Sequence, residues 1–486
     1  MAAIITEKFR LNNAKQFIED ITEGHSVAYS FIGRGHAWSD DSSPPTPVDN
    51  PNDEFDAYRN MVAMKKIATT DVSHAIVRRD WTSGTTYDEY RHNYTSSSAA
   101  NSGATNLYSS TYYVVTDDYN VYKCIANDNN TASTVKPDHT TLVTPTESDG
   151  YEWKYMYSIS ASDVIKFVTN DFIPVKTLGA KLAVAGGVDT GSQDGRLGDA
   201  ATDDGSAQWD VENGAVDGAL DRVRIIAGGS GYTASQTNQT ANIRGDGSSG
   251  VATYSTNGSG VITSISVTTA GTGYTYAYLN DDDLVGSSRE QASDGTNSTA
   301  NIEFVIAPKN GHGADPVEEL GGNYVILNSR LEYGEGDFPT DNDFRQIGVV
   351  MNPTQKASAN ALCSAATQAA YKTMTIDGSA TLPTVDTVIR NASTESQATA
   401  VGIVVSVNSS SRVVSYLPYP NKVNDFTAFS SGNTVYSSTN TDHGDISALA
   451  NEEVAIHSGD ILYLENRTPI SRASDQIEDI KLIIEM

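Results

Sequence analysis

Apolar residues along the chain recur first at helical spacing and later at strand spacing. Phe17, Ile18 and Ile21 fall on one stripe within Leu11 to Ile21, and Gly24 follows as a stop, which predicts a helix. Val27 to Ile32 is a short apolar run and predicts a buried strand. The segment Ser39 to Pro51, rich in Pro, Asp and Ser, predicts a long exposed connection. Asn50-Pro51-Asn52-Asp53 then supplies an Asn cap, a Pro at the first helical position and early carboxylates. A second helix is predicted there, carrying Phe55, Tyr58, Val62 and Lys65/Lys66 and ending near Thr69. From Ala75 to Val175 the pattern is that of strands, at Ile76-Val77, Tyr112 to Val115, Val121 to Ile125 and Trp153 to Ile159, with Asp149-Gly150 as a turn before the last.

Beyond Ala180 the large apolar residues thin out. Asp189 to Asp221 is acidic and Gly-rich, which predicts a solvated connection or a loosely ordered lobe. An internal repeat follows: Val223 to Thr233, an alternating strand ending in Gly228-Gly229-Ser230-Gly231-Tyr232, recurs as Ile265 to Thr275, ending in Gly271-Thr272-Gly273-Tyr274. Two units are few for a solenoid, which needs about three. They are expected to pack as a compact pair or to lean on the rest of the chain. Ile302 to Ala307 and Tyr324 to Leu327 return to strand patterning. Met374 to Asn440 reads as a second insertion, with a hairpin of Ala400 to Val407 and Val413 to Leu417 across Asn408 to Ser411. Ile461 to Leu464 and Ile480 to Ile484 read as terminal strands, and Glu465 to Ile470 as the turn between them.

Composition sharpens this picture. Tyr (25) outnumbers Phe (11) and Gly is abundant (39), as expected of many short strands joined by polar turns. At 486 residues and 38% hydrophobic, the chain can bury a sizeable core in roughly two to four domains. With 32 Lys+Arg against 61 Asp+Glu, its formal charge of −29 repels phosphate backbones and anionic headgroups, so nucleic-acid and membrane-surface binding are disfavoured. Apolar runs fall short of the ~20 residues of a membrane helix. Glu7, Lys8 and Arg10 interrupt the first of them, so no secretory signal is expected. Two cysteines, Cys124 and Cys363, are too few for a disulfide framework, and a soluble protein made in a reducing compartment is expected.

Chemistry is hard to find. The eight histidines are scattered singly, with no i,i+4 pair and no Cys at finger spacing. No G-x-S-x-G elbow or Walker A loop is present, and the Gly228 turn lacks the Lys-Ser/Thr and helix that a phosphate loop requires. Asp281-Asp282-Asp283 lacks the Gly and final Glu of a calcium loop. Asp80 and Glu152 each stand beside a Trp, but a glycosidase needs two carboxylates facing each other at a fixed separation. No catalytic residue, cofactor or metal ligand is therefore assigned, and the chain is not expected to be an enzyme. The Tyr-rich repeat leaves a glycan- or receptor-binding module as the alternative, because aromatic faces can stack on sugars.

Two clusters look specified. Arg78-Arg79-Asp80-Trp81 closes a strand and reads either as a sheet-end salt bridge with Trp as core filler or as an interface anchor. Glu465-Asn466-Arg467 opens the second, with Trp153 a further structural or interface candidate.

These clusters, with four other stretches, carry a resemblance. They are Ile5 to Arg10; Phe31-Ile32-Gly33-Arg34 with Trp38-Ser39; Arg78 to Trp81; Asp149 to Tyr155; Phe344-Arg345-Gln346-Ile347 with Asn352-Pro353; and Ser458-Gly459-Asp460, Tyr463 to Arg467, Pro469-Ile470 and Asp475-Gln476. In this order the chain resembles the baseplate wedge subunits of contractile-tailed phages, the family of the T-even gene product eight. The resemblance covers roughly residues 1–178 and 320–486. It implies a mainly β, multi-layer antiparallel β-sandwich with helix-containing finger-like excursions, a homodimer within each wedge, other baseplate wedge proteins as partners, and no catalytic site. The implied location is the virion tail baseplate, assembled in the host cytoplasm. The expected organisation is residues 1–178 and 311–486 as the two parts of the sandwich body. Residues 179–310 are expected as an acidic linker with an inserted all-β module, and 374–440 as a further β insertion.

Overall fold

The computed structural model describes residues 4–180, 203–280, 283–284, 298–332, 334–419 and 427–486, without the side chains of 359 and 360. Residues 189–202 of the acidic stretch, and Asp281-Asp282, lie outside these residues. The chain is mainly β, built of antiparallel sheets with a small closed six-stranded barrel, as expected of a β-rich sandwich. It divides into two compact units: Met1–Gln16, Ser73–Ile326 and Ile484–Met486 form the first, Phe17–Val72 and Leu327–Ile483 the second. Helix α1, Glu7–Thr22, contributes to both and is followed by Gly24 at φ +73°, in the left-handed region glycine tolerates.

In the first unit a meander of Tyr113–Val115, Asn120–Asn127 and Tyr151–Ser158 is buried on both faces. Tyr113, Val115, Val121 and Tyr157 pack with Ile76, Ile173 and Val317 on one side. Val114, Tyr122, Cys124 and Trp153 pack with Tyr87 and Val211 on the other. Successive side chains point to opposite faces of a strand, so burial of both faces turns alternation into near-continuous apolar runs. Gly150 makes the turn before Tyr151 at φ +82°, and a Cβ there would lie 2.6 Å from Asp128 Cγ. Inside this unit Lys123 is fully buried, ion-paired to Glu319, and its ammonium sits 5.0 Å from the centre of the Tyr90 ring.

Two short helices here had no signal in the apolar pattern. These are α3, Ala161–Phe167, and α4, Ala207–Gly214, started by Ser160 and Ser206, whose hydroxyls each accept a backbone N–H three residues on. Helix α4 falls in the stretch read as solvated. Its buried face consists of Gln208, Val211 and Glu212, so no apolar stripe marks it.

The repeat folds as an interlocked pair. Strand Leu220–Ala227 pairs with Asn301–Ile306, and Ile262–Thr269 pairs with Val251–Thr256, which also pairs with Gln239–Asn242. Across the pair the backbone bonds are reciprocal. Leu220 N–H donates to Ala270 O and Ile262 N–H to Gly228 O, both at 3.0 Å. Tyr274 N–H donates to Gly218 O and Tyr232 N–H to Gly260 O, both at 3.2 Å. Each unit thus grips the other's equivalent residue, the geometry of an isologous two-fold contact within one chain. Gly218 and Gly260, at φ +58° and +69°, leave room for that approach, since a Cβ would stand 2.4 Å and 2.2 Å from the facing tyrosine backbone.

In the second unit a five-stranded antiparallel sheet runs Thr367–Ala369, Met61–Lys66, Ala28–Gly33, Asp343–Met351, Asp460–Ser471. Helix α2, Pro51–Asn60, is capped as the sequence implies, with Asn50 Oδ1 accepting from Asp53 N–H at 2.9 Å. It stops at Asn60, well before Thr69, and Met61–Lys66 is a strand, not its last turns. Met61 to Met64 are buried at every position. A four-residue apolar run satisfies helical and strand spacing alike, and here two neighbouring strands compete for it successfully. Glu465 to Ile470 is likewise not a turn but the middle of the 12-residue strand Asp460–Ser471. Pro469 is tolerated there because the strand lies at the edge of the sheet.

The barrel closes in the order Lys372–Ile376, Val413–Pro418, Val401–Asn408, Val388–Arg390, Thr434–Ser437, Asp442–Ala450. Its last strand lies beyond Asn440, and residues 420–426 of the insertion are outside the described residues. Met374, Ile389, Val404, Val414, Tyr416 and Ile446 fill the interior. The expected hairpin is present, and Asn408 Oδ1 closes its turn by accepting the N–H groups of Ser410 and Ser411 at 3.1 Å.

Candidate interaction surface

Three separated stretches of the second unit meet around Arg345. Its guanidinium is buried and donates to Asp41 twice, Nε to Oδ1 and Nη2 to Oδ2, each at 2.9 Å. Nη1 donates to Gly35 O at 3.0 Å, and Nη2 also lies 3.1 Å from Asp343 Oδ2. The paired geometry matches the guanidinium fork to the carboxylate. The hydrogen bond from Arg345, with smaller contributions from the Trp38 N–H and the Arg345 charge, holds the Asp41 carboxyl below its ordinary value against desolvation. Asp41 Oδ1 further accepts from Trp38 N–H at 2.8 Å.

Trp38 ties this corner to the edge strand. The Arg34 guanidinium stacks 3.5 Å from the centre of the Trp38 ring, whose Nε1–H donates to Arg467 O at 3.1 Å. Asn466 receives Gln346 Nε2–H at 2.8 Å and donates through Nδ2 to Pro45 O at 2.9 Å. Burial, reinforced by Arg34 and Arg345, pulls His36 down to about 4, so its imidazole is neutral at pH 7. The Pro-rich connection is therefore laid along the edge strand and fastened at both Trp38 and Pro45. Its exposed positions are mostly polar, with Ser39, Asp40, Ser42, Ser43, Thr46 and Asp49 among them, but one large apolar side chain, Val48, is 61% exposed, and Phe55 in α2 is 46% exposed. On the edge strand the Arg467 and Glu465 side chains are partly exposed, 3.5 Å apart.

The other predicted cluster lies in the first unit. Arg78 pairs with Asp80 at 2.9 Å and donates to Thr169 O at 3.0 Å, the sheet-end salt bridge. Arg79 stacks 4.5 Å from the buried Tyr113 ring. Trp81 donates to Ser133 Oγ at 3.1 Å, and Trp153 is wholly buried, stacked on Tyr151. Asp80 is engaged by Arg78 and Glu152 by Thr146, each with its own partner. Among the described residues no group of three or more His, Cys, Asp or Glu is placed to hold a metal ion, and no helix is long and apolar enough to cross a membrane. Tyr232 and Tyr274, on which the sugar-stacking alternative leaned, have no free faces: they are 5% and 2% exposed, inside the repeat pair.

Residues 3–143 match the Phage-Gp8 family model. Its description reads Bacteriophage T4, Gp8, and it is the family that the six sequence stretches resemble. No curated protein matches the chain. The Phage-Gp8 family implies a structural component of the baseplate, located in the virion tail. The matched segment contains Arg34, Trp38, Asp41 and the Arg78 to Trp81 cluster. Arg345, Gln346, Asn466 and Arg467 lie outside it, and their bonds to the matched residues extend the same surface into the unmatched part of the chain. Asp41 carried no sequence signal of its own, being one of several acids in a polar connection.

Proposed function

We propose that this protein is a structural subunit of a phage baseplate wedge. It assembles with other wedge proteins through the surface formed by the connection 39–50, helix α2 and the edge strand Asp460–Ser471, and pairs with a second copy of itself. The observation that supports this most directly is the match of residues 3–143 to the Phage-Gp8 family. The connection is held before any partner arrives, by Asp41 and Trp38, so its exposed Val48 is pre-organised to be buried in an interface, and Phe55 is exposed on helix α2, which follows the connection. Glu465 and Arg467, partly exposed on the edge strand, supply charge to this surface, and a rim charge contributes to encounter and register more than to affinity. In the first unit Arg78 and Asp80 close the end of a strand as a salt bridge, and Arg79 and Trp153 hold its sheet.

The test is a reconstitution of wedges from purified subunits, with co-sedimentation as the readout. Val48→Asp and Phe55→Asp, at exposed positions, should leave the melting temperature and the light-scattering mass of the free chain unchanged while abolishing co-sedimentation. The free chain should scatter as two copies. Undiminished co-sedimentation of the double variant would remove this surface from the assembly.

A further inference from the structure

A polar pocket of about 640 Å³ opens in the first unit, where residues 91–98 meet the repeat module. Its floor is an array of planar polar groups. Glu303 and Arg224 face each other in the ladder of Asn301–Ile306 with Leu220–Ala227, and Arg224 Nη1 donates to Glu303 Oε2 at 2.8 Å. Asn93 Nδ2 donates to the other Glu303 oxygen, 3.5 Å from Arg91 Nη2. Arg91, its side chain only 7% exposed, keeps a buried Nε without a hydrogen-bond partner in the chain, and Asn93 a buried Oδ1. Leaving such groups unsatisfied is costly, and buried polar atoms of this kind are uncommon in a finished fold. His92, also in the lining, is kept neutral by burial and accepts Ile306 N–H on Nδ1, so its Nε2 carries a hydrogen.

The rim is different. Tyr276 and Ile226 both line the pocket and are 56% and 52% exposed, the largest apolar surfaces of the module at this point. Donors and acceptors held side by side on the floor, with a free aromatic ring at the mouth, match one ligand chemistry. Adjacent hydroxyls each donate and accept, and a ring of C–H groups presents an apolar face to stack.

We propose that this pocket binds a neutral saccharide, its vicinal hydroxyls on Arg91, Asn93 and Glu303 and its C–H face on Tyr276. An acidic sugar or a phosphate is disfavoured by the Glu303 carboxylate in the floor and by the net charge of −29. The site is independent of the wedge surface, which lies in the other unit. It gives the module a ligand although Tyr232 and Tyr274 are enclosed.

Saturation-transfer NMR on the full chain tests this, with the methyl glycosides of glucose, galactose, mannose, N-acetylglucosamine and rhamnose as probes. At least one should receive saturation on its ring C–H protons. Tyr276→Ala should weaken that glycoside about tenfold, the scale of one aromatic contact, while Tyr276→Phe retains it. Tyr278→Ala, an exposed tyrosine outside the pocket, should change nothing. Silence from all five glycosides, undiminished binding by Tyr276→Ala, or equal loss in Tyr278→Ala would each overturn the assignment. Melting temperatures of the variants separate lost binding from lost folding.

Discussion

Arg345 and Asp41, 304 residues apart in sequence, share two parallel hydrogen bonds of 2.9 Å, and a segment of some ten residues hangs on them. The consequence is testable by hydrogen exchange. Arg345→Ala should raise amide exchange across residues 35–45 by at least about tenfold, as expected of a loop reduced to low local stability, while the barrel keeps its protection. The pH dependence follows from the direction of the Asp41 shift. Its native pKa lies below the ordinary 3.8, so the clamp's contribution is complete above pH 3.8 and fades as pH falls through the depressed native value. Protection of 35–45 should persist at pH 4.5 and be lost on further acidification. Loss already at pH 5 to 6 would mean that another group governs the segment.

Much of this fold is legible in the chain, and the exceptions share a physical cause. Local signals were sufficient where one residue makes the structure by itself: Asn50 caps α2, Gly24 ends α1, Gly150 turns into Tyr151. They failed where neighbours decide. Met61 to Met64 fits either helix or strand, and only the flanking strands Ala28–Gly33 and Thr367–Ala369 select strand. Glu465 to Ile470 contains Pro and charges, which suggest a turn until its edge position is known. The Tyr232 and Tyr274 repeat was visible as a pattern, yet not the exchange of backbone bonds between its copies. The wedge surface was half visible. Arg345 and Arg467 stood in recognisable stretches, but Asp41, the residue Arg345 grips, could be told from the chain's other acids only in three dimensions.

Lys123 and Glu319 supply the second prediction. Burial pulls the Lys123 ammonium below its usual value and Glu319 pulls it back up, while Glu319 also accepts Gly313 N–H at 3.0 Å and Asp315 N–H at 3.2 Å. Glu319→Gln strands a buried ammonium and should destabilise the first unit by about 3–5 kcal/mol in urea unfolding. Adding Lys123→Met removes the stranded charge, so the double variant should regain about half of that loss. If Glu319→Gln costs under about 1 kcal/mol, the scale of an exposed pair, then the ammonium has found water.

The repeat pair supplies the third. Tyr274 Oη accepts Gly250 N–H at 3.1 Å and donates to Ile243 O at 3.2 Å, and Tyr232 Oη accepts Ala300 N–H at 2.9 Å. Tyr274→Phe leaves a buried N–H unpaired and should cost about 1–3 kcal/mol, with Tyr232→Phe of similar size because its hydroxyl occupies the equivalent place. Gly218→Ala and Gly260→Ala go further. Each puts a Cβ within 2.4 Å of the facing tyrosine's backbone at a positive φ, so relief requires the two units to part. Limited proteolysis should then cut residues 220–280 in both variants at similar rates, since the bonds broken are symmetric partners. A large difference between the two would show that one unit is held by the rest of the chain and does not depend on its twin.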